Sequence, residues 1–299
     1  MSSFLPVEGQ GSTVTTDDNG PHLWLDQLPR PNTDSHKHSR GHLACVTGGA
    51  SQTGAARLAA RAGLRVGAGL VTLLSPPDAV LINAAHVTAI MVRSFDTPND
   101  LTGLVLDASA CVIGPAAGVN EATRENVLAS LRIRRPIVLD ADALTVFEGS
   151  PKSLFREVHG QCVLTPHPGE FRRVFPGLVE RYPRFTDAAK AAADSTGAVV
   201  VLKSATTVVA APGGHVITNE HASPYLATAG SGDVLAGLIG GLMAQGMAAH
   251  TAALAGVWLH GEAGLRLGPG MIAEDLPEIL PAILGAMLDS ALENRHTGR

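Results

Sequence analysis

The sequence predicts an α/β fold in which a central, mostly parallel sheet is covered by helices on both faces. Two observations carry the prediction: short runs of Val, Ile and Leu with no polar alternation, and Ala-rich helical stretches lying between them. A strand buried on both faces has no solvent side to mark with polar residues, and parallel neighbours need a crossover helix between them. The 299 residues suffice for one large core.

Along the chain, residues 1–33 are rich in Gly, Pro, Asp and Thr and lack periodicity, which predicts a mobile tail ahead of one domain spanning 34–299. Strand-like runs follow at 43–46, 70–74, 110–113, 137–139, 162–164 and 199–202. Runs at 206–211 and 215–218, joined through Pro212-Gly213-Gly214, read as a hairpin at one sheet edge. The apolar stretch 234–260 is interrupted by Gln245, Gly246 and His250 before ~20 apolar residues accumulate, so it reads as two packed core helices and not a membrane span.

Composition narrows the function classes. Twenty-two Lys and Arg against 27 Asp and Glu give a net charge of -5, which leaves no electrostatic footprint for nucleic acid or an anionic membrane. Cys45, Cys111 and Cys162 sit in apolar runs without paired spacing and read as buried, reduced thiols. The first twenty residues lack a basic start followed by an apolar block, so no secretory signal is expected and the setting is cytoplasmic.

In open α/β sheets ligands collect beyond the carboxyl ends of the strands. The loops expected there are GGASQTG, GPAAG, DAD, TPHPGE and KSATT. The strongest signal is Ala229-Gly230-Ser231-Gly232-Asp233 at a helix start, where glycines leave amides open to a phosphate and the helix dipole favours its charge. Asp233 reads either as a helix cap or as the carboxylate that takes a proton from an attacking hydroxyl. Gly49 to Ala56 lacks the Lys and Ser/Thr of a Walker loop and the glycine spacing of a dinucleotide fingerprint, leaving a tight turn or a ligand contact. His167, fixed between Pro166 and Pro168, precedes Glu170 at the next helix start; an ordinary surface histidine and a helix-start charge are the bland readings. Lys203, Ser204, Ala205, Thr206 and Thr207 offer a cation and three hydroxyls, suiting either nucleotide phosphates or an exposed turn. Asp140 and Asp142 flank a strand end, as site carboxylates or caps, and His36, His38 and His42 have only loose metal-ligand spacing.

Together these segments resemble the ADP-dependent NAD(P)H-hydrate dehydratase family of the ribokinase-like superfamily. The matching pieces are Ser35-His36-Lys37, Gly54-Ala55-Ala56-Arg57-Leu58, Gly67-Ala68-Gly69, Asp140-Ala141-Asp142, residues 164–170, Lys203 to Thr207 and Gly230 to Gly237. The resemblance implies a ribokinase-like three-layer sandwich. It also implies that ADP phosphorylates the S-epimer of NADH hydrate or NADPH hydrate, after which phosphate is expelled to restore the reduced dinucleotide and leave AMP. On the matching positions it makes Asp233 the catalytic base. Ala56, Gly118, His167 and Asp233 would face the hydrate. Lys203, Ser204, Ala205, Thr206, Thr207, Gly230 and Gly232 would contact the adenine nucleotide, and Glu170 would position Mg2+ through water. A homotetramer is implied as well, with a hydrate epimerase on a separate chain as pathway partner. Three positions depart from the family pattern: Ala116 stands where a glycine is usual in GPAAG, Ser231 where threonine is usual, and Ser223-Pro224-Tyr225 where Asn-Pro-Gly is usual. A small-molecule kinase of the same fold and a catalytically inactive nucleotide-binding regulator are the alternatives.

Overall fold

The computed structural model describes residues 16–297. Its strands are β1 (Thr16–Asp18), β2 (His42–Val46), β3 (Leu70–Ser75), β4 (Met91–Ser94), β5 (Ala110–Ile113), β6 (Ile137–Leu139), β7 (Cys162–Leu164), β8 (Val199–Leu202), β9 (Thr207–Ala210) and β10 (Val216–Asn219). The helices are α1 (Gly54–Arg65), α2 (Val80–His86), α3 (Pro98–Leu106), α4 (Glu121–Arg132), α5 (Asp142–Thr145), α6 (Pro151–Phe155), α7 (Pro168–Val174), α8 (Leu178–Arg181), α9 (Phe185–Thr196), α10 (Ser231–Ala244), α11 (Ala249–Leu267) and α12 (Asp275–Thr297).

All ten strands join one sheet in the order β1-β10-β9-β8-β7-β6-β5-β2-β3-β4. Only β9 runs against its neighbours. Strand period two sends alternate side chains to opposite faces. Leu43 and Cys45 therefore pack with α1, α10, α11 and α12, while Ala44 and Val46 join Phe147, Phe171 and the alanines of α9 on the other face. All three cysteines are buried and free. Burial pushes the thiols of Cys111 and Cys162 up to about 12, so they act as small apolar residues.

Two helices set the position of the site. Along α1 and α10 small residues meet: a Cβ on Gly237 would lie 2.1 Å from the Ala59 carbonyl, and one on Gly241 would lie 2.7 Å from Gly63 Cα. The contact holds the start of α10 beside the start of α1. From β2 the chain winds one way through β3 and β4, then returns to place β5 on the other side of β2. Strand order thus reverses between β2 and β5, and the loops after those strands flank the crevice where such sheets bind ligands.

The structure corrects the sequence reading at the N-terminus. Residues 1–15 lie outside the described residues, but from Thr16 onward the expected tail is part of the fold. β1 extends the sheet beyond β10, so the β9–β10 hairpin is not the edge. Asn19 Nδ2 donates to Asn219 Oδ1 and to the Leu254 carbonyl, both at 2.9 Å, and Trp24 is buried against Trp258. One aromatic, Trp24, and three leucines, Leu23, Leu25 and Leu28, dock a segment whose composition reads as loop. β4 also escapes the sequence pattern, because this edge strand is mostly exposed and carries no apolar run. No helix among the described residues is long and apolar enough to cross a membrane.

Candidate active site

Five loops meet at the carboxyl ends of β2, β5, β6, β7 and β8. The loop after β2 is pressed against the loop after β5: a Cβ on Gly48 would stand 2.0 Å from the Ala116 carbonyl. Gly114 and Gly118 turn that second loop at φ +125° and +87°, and Ala116 takes φ +50° between them. After β6, Ala141 also has positive φ, +48°. Two non-glycine residues in this sparsely allowed region, both bordering one crevice, are strain of the sort that surrounding structure must impose.

Asp140, 1% exposed, forms the floor. Its Oδ1 accepts from the Thr165 hydroxyl at 2.7 Å and from Lys203 Nζ at 2.6 Å. Lys203 is placed by its own backbone, whose N–H donates to the Pro166 carbonyl at 2.9 Å and carries the β7–β8 pairing one step past the strand end. Burial works against the charge on Lys203, but the carboxylates of Asp140 and Glu170 outweigh it and hold the ammonium above the usual lysine range. The ammonium reaches the glycine loop: a Cβ on Gly232 would lie 3.4 Å from Nζ.

Gly230, left-handed at φ +87°, caps α10, and no side chain caps the helix. The Ser231 N–H donates to the Thr228 carbonyl at 3.4 Å, and the next two amides, of Gly232 and Asp233, are left without a side-chain cap, as an anion site requires. Asp233 stands in that first turn and makes no capping bond, which removes the cap reading. Its pKa is pushed up to about 7, first by burial and then by the negative charge of Asp140, against the pull of Lys203, with Asp142 and Glu170 adding to the rise. A carboxyl balanced near neutrality has the driving force a general base needs.

Glu170 follows the bland reading more closely. Only 6% exposed, it accepts from the His167 N–H at 2.8 Å, while His167 Nδ1 accepts from the Gly169 and Glu170 amides. The pair is a capping box at the start of α7, with the prolines on either side fixing the ring. The histidine side chain remains half exposed, at 51%. Asp142 accepts from the Gly118 N–H at 2.8 Å, tying two site loops together.

A cavity of ≈ 870 Å³ opens beside this centre. Lys203, Ser204, Ala205, Thr207, Gly232 and His167, all singled out from the sequence, line it. Thr206 and Gly230 lie outside the lining; Gly230 instead faces Leu58 of α1. Ala56 sits on the buried side of α1: at 1% exposure its side chain packs in the core and does not face the crevice. Gly118 is likewise buried, so only its loop borders the crevice.

Sequence reasoning missed the far wall of the cavity, which includes Asn219, Ser223, Leu226, Thr228, Val257 and His260. His260 had been absorbed into a core helix. Its Nε2 lies 3.0 Å from the Ser231 carbonyl, which only accepts, and 2.9 Å from Ser231 Oγ, so this nitrogen carries the proton. Burial, aided by the nearby Lys203 charge, lowers its pKa to about 4, which keeps the ring neutral. The histidine thereby holds the first residue of α10 in place. No local signal marks it, because its partner is 29 residues away.

Among the described residues no three histidines, cysteines or carboxylates are grouped to hold a metal ion. His42 Nε2 meets the Thr72 hydroxyl of β3 at 2.7 Å and His36 Nδ1 accepts from the Ser39 amide, so each ring has a structural hydrogen bond. The carboxylates near Lys203 fit Mg2+ only as an ion carried by nucleotide phosphates and water, with one or two protein oxygens. That is the usual manner of this reluctantly dehydrated cation.

Comparison with known proteins agrees with this geometry. A family model described as NAD(P)H-hydrate dehydratase matches residues 44–282. A bifunctional NAD(P)H-hydrate repair enzyme of Moorella thermoacetica is 40% identical over 273 residues, covering 85% of this chain and 51% of that protein. An ADP-dependent (S)-NAD(P)H-hydrate dehydratase of Neisseria meningitidis is 38% identical over 236 residues, covering 77% and 78%. The chain thus spans about half the length of the Moorella relative and most of the Neisseria one. The crystal structure of an ADP/ATP-dependent NAD(P)H-hydrate dehydratase from Bacillus subtilis, co-crystallised with ATP and Mg2+, superposes with a TM-score of 0.73 at 26% identity, over 87% of this chain and 94% of that one. With its ribokinase-like sheet and its glycine-capped α10, the chain belongs to the NAD(P)H-hydrate dehydratase family.

Proposed function

We propose that this chain catalyses the ADP-dependent dehydration of the S-epimer of NADH hydrate or NADPH hydrate, releasing the reduced dinucleotide, AMP and phosphate. The single observation that carries the reading is Asp233. It is a carboxyl with a pKa raised to about 7, in the first turn of a helix that no side chain caps and whose glycine loop is approached by Lys203.

ADP occupies the ≈ 870 Å³ cavity, with its base against Leu226 and Val257 and its phosphates toward Lys203, Ser204, Thr207 and Gly232. Asp233 takes the proton from the hydrate hydroxyl as that oxygen attacks the β-phosphorus. The new O–P bond forms as the bond to the α-phosphate oxygen breaks, and AMP leaves. The amides of α10 and the Lys203 ammonium hold the charge that develops. Phosphate, unlike hydroxide, then departs under push from the ring nitrogen lone pair, and loss of a ring proton restores the reduced nicotinamide. Mg2+, when bound on the phosphates, neutralises charge there, with Glu170 the nearest proposed outer partner. His167 faces the hydrate from the rigid loop after β7. A cytoplasmic homotetramer working with a hydrate epimerase completes the reading.

The test is a mixture of the protein, Mg2+, ADP or ATP, and either hydrate, followed by the return of reduced-nicotinamide absorbance. Turnover with release of AMP supports the proposal. Silence with both nucleotides and both hydrates overturns it. A stable phosphorylated hydrate in place of reduced dinucleotide identifies a kinase instead.

A further inference from the structure

The start of α10 has three sides, and two of them are already accounted for. Gly232 faces Lys203 and the nucleotide cavity, and Ser231 faces His260. Gly230 faces α1: a Cβ there would stand 2.6 Å from Leu58 Cδ1. On the far side of Leu58 lies a second cavity of ≈ 540 Å³, lined mainly by α1 and by the stretch following α2. Leu58 is thus the wall shared by this cavity and the catalytic loop. Gly54, at its lip, ends the loop after β2 and has open space where a side chain would stand.

The lining sets three arginines against a single acid, Glu274. Arg57, Arg61 and Arg65 recur every four residues and so lie along one face of α1. Arg61 and Arg65 are both committed to Glu278 of α12. Arg57 has no acidic partner among the described residues, its guanidinium bonding only the neutral Thr53 hydroxyl at 2.8 Å. Four of its five N–H donors remain, beside a shelf made by Leu58, Val87, Ala89 and Ile90. A planar cation with spare donors next to an apolar shelf suits a nucleotide, whose ribose carries both a phosphate and an aromatic base.

We propose that this cleft binds the adenosine-phosphate half of the dinucleotide substrate, with Arg57 on its phosphates and the shelf under its adenine. The inference rests on the dehydratase reading. ADP fills the Lys203 side of the glycine loop, and the hydrated ring must reach Asp233 within that loop. The rest of the dinucleotide then has to leave on the side away from ADP, past the Leu58 wall and over Gly54, whose open surface borders the cleft.

The test is calorimetric titration of the full chain with NADPH, with adenosine 2′,5′-bisphosphate and with ADP as probes, none of which requires turnover. Arg57→Gln is expected to weaken NADPH binding about tenfold, the loss of one charge-assisted contact to phosphate. It should leave ADP affinity within about twofold of wild type. Ala89→Trp, which fills the cleft from an exposed position, should weaken NADPH and the bisphosphate together and spare ADP, so the result does not depend on the folding of one variant. Both variants binding NADPH as wild type does overturns the proposal, as does competition of the bisphosphate with ADP instead of NADPH. Arg57-dependent NADPH binding in a protein that turns over neither hydrate keeps the cleft and removes the reaction. Turnover with unaltered NADPH binding in both variants does the reverse.

Discussion

Replacement of Asp233 by Asn separates what this carboxyl contributes to chemistry from what it costs the fold. In the folded protein its pKa is raised from 3.8 to about 7, first by burial and then by Asp140. A raised carboxyl value means that ionisation is disfavoured by folding. The cost is absent below pH 3.8, grows between the two values, and is complete above about 7. A shift of roughly three units corresponds to about 4 kcal/mol at pH 8, falling to about 2 kcal/mol at pH 5. Asn keeps the size of Asp and cannot ionise, so Asp233→Asn should be the more stable protein at pH 8, by up to that amount. At about 2 °C per kcal/mol for a domain of this size, its melting temperature should rise by several degrees. The gain should shrink by roughly half on going to pH 5. Turnover should be lost, while ADP still binds. Denaturant melts at both pH values, run beside the hydrate assay, provide the comparison. An Asn variant less stable at pH 8 than wild type, or one whose stability difference ignores pH, refutes the electrostatic account. Retention of near-normal rate removes Asp233 as the base.

Two further predictions address the surroundings of that carboxyl. Lys203→Met leaves Asp140 buried without its counter-charge and should destabilise the protein by about 3 kcal/mol or more in urea denaturation, with much of the loss recovered on adding Asp140→Asn. If the double variant is no better than the single, the ion pair is not the source of the loss. In the loop after β5, Ala116→Gly relieves a left-handed alanine at φ +50° and should stabilise by about 1 kcal/mol. Gly114→Ala should cost more than about 3 kcal/mol, since its Cβ would meet the Asp140 carbonyl at 1.7 Å at φ +125°. Thermal melts of the two variants moving in the same direction would contradict this.

Much of the site was legible because its parts are short-range. A glycine that must cap a helix, a histidine held between prolines and a lysine at a strand end are local patterns, and strand ends in a parallel sheet meet on one side by geometry alone. Ambiguity remained wherever the partner is distant in sequence. Asp233 read equally as a cap until the structure left it without a capping bond, whereas Glu170 turned out to make one. Ala56 matched the family pattern yet lies in the core, because a motif fixes the backbone path of its loop and not which side chains of that loop face outward.

The sequence by itself determined the α/β class, the buried strands, the glycine-capped α10 and several of the loop residues that line the cavity, since these follow from period, turn chemistry and the preferences of single residues. Only the tertiary structure decided that Thr16 to Leu28 belongs to the fold, that His260 grips Ser231 across 29 residues, and that Lys203 bridges Asp140 and the Gly232 loop. Those contacts depend on which elements become neighbours. Burial and the charges it gathers then set the Asp233 pKa near 7, a property of the assembled interior that no stretch of chain possesses alone.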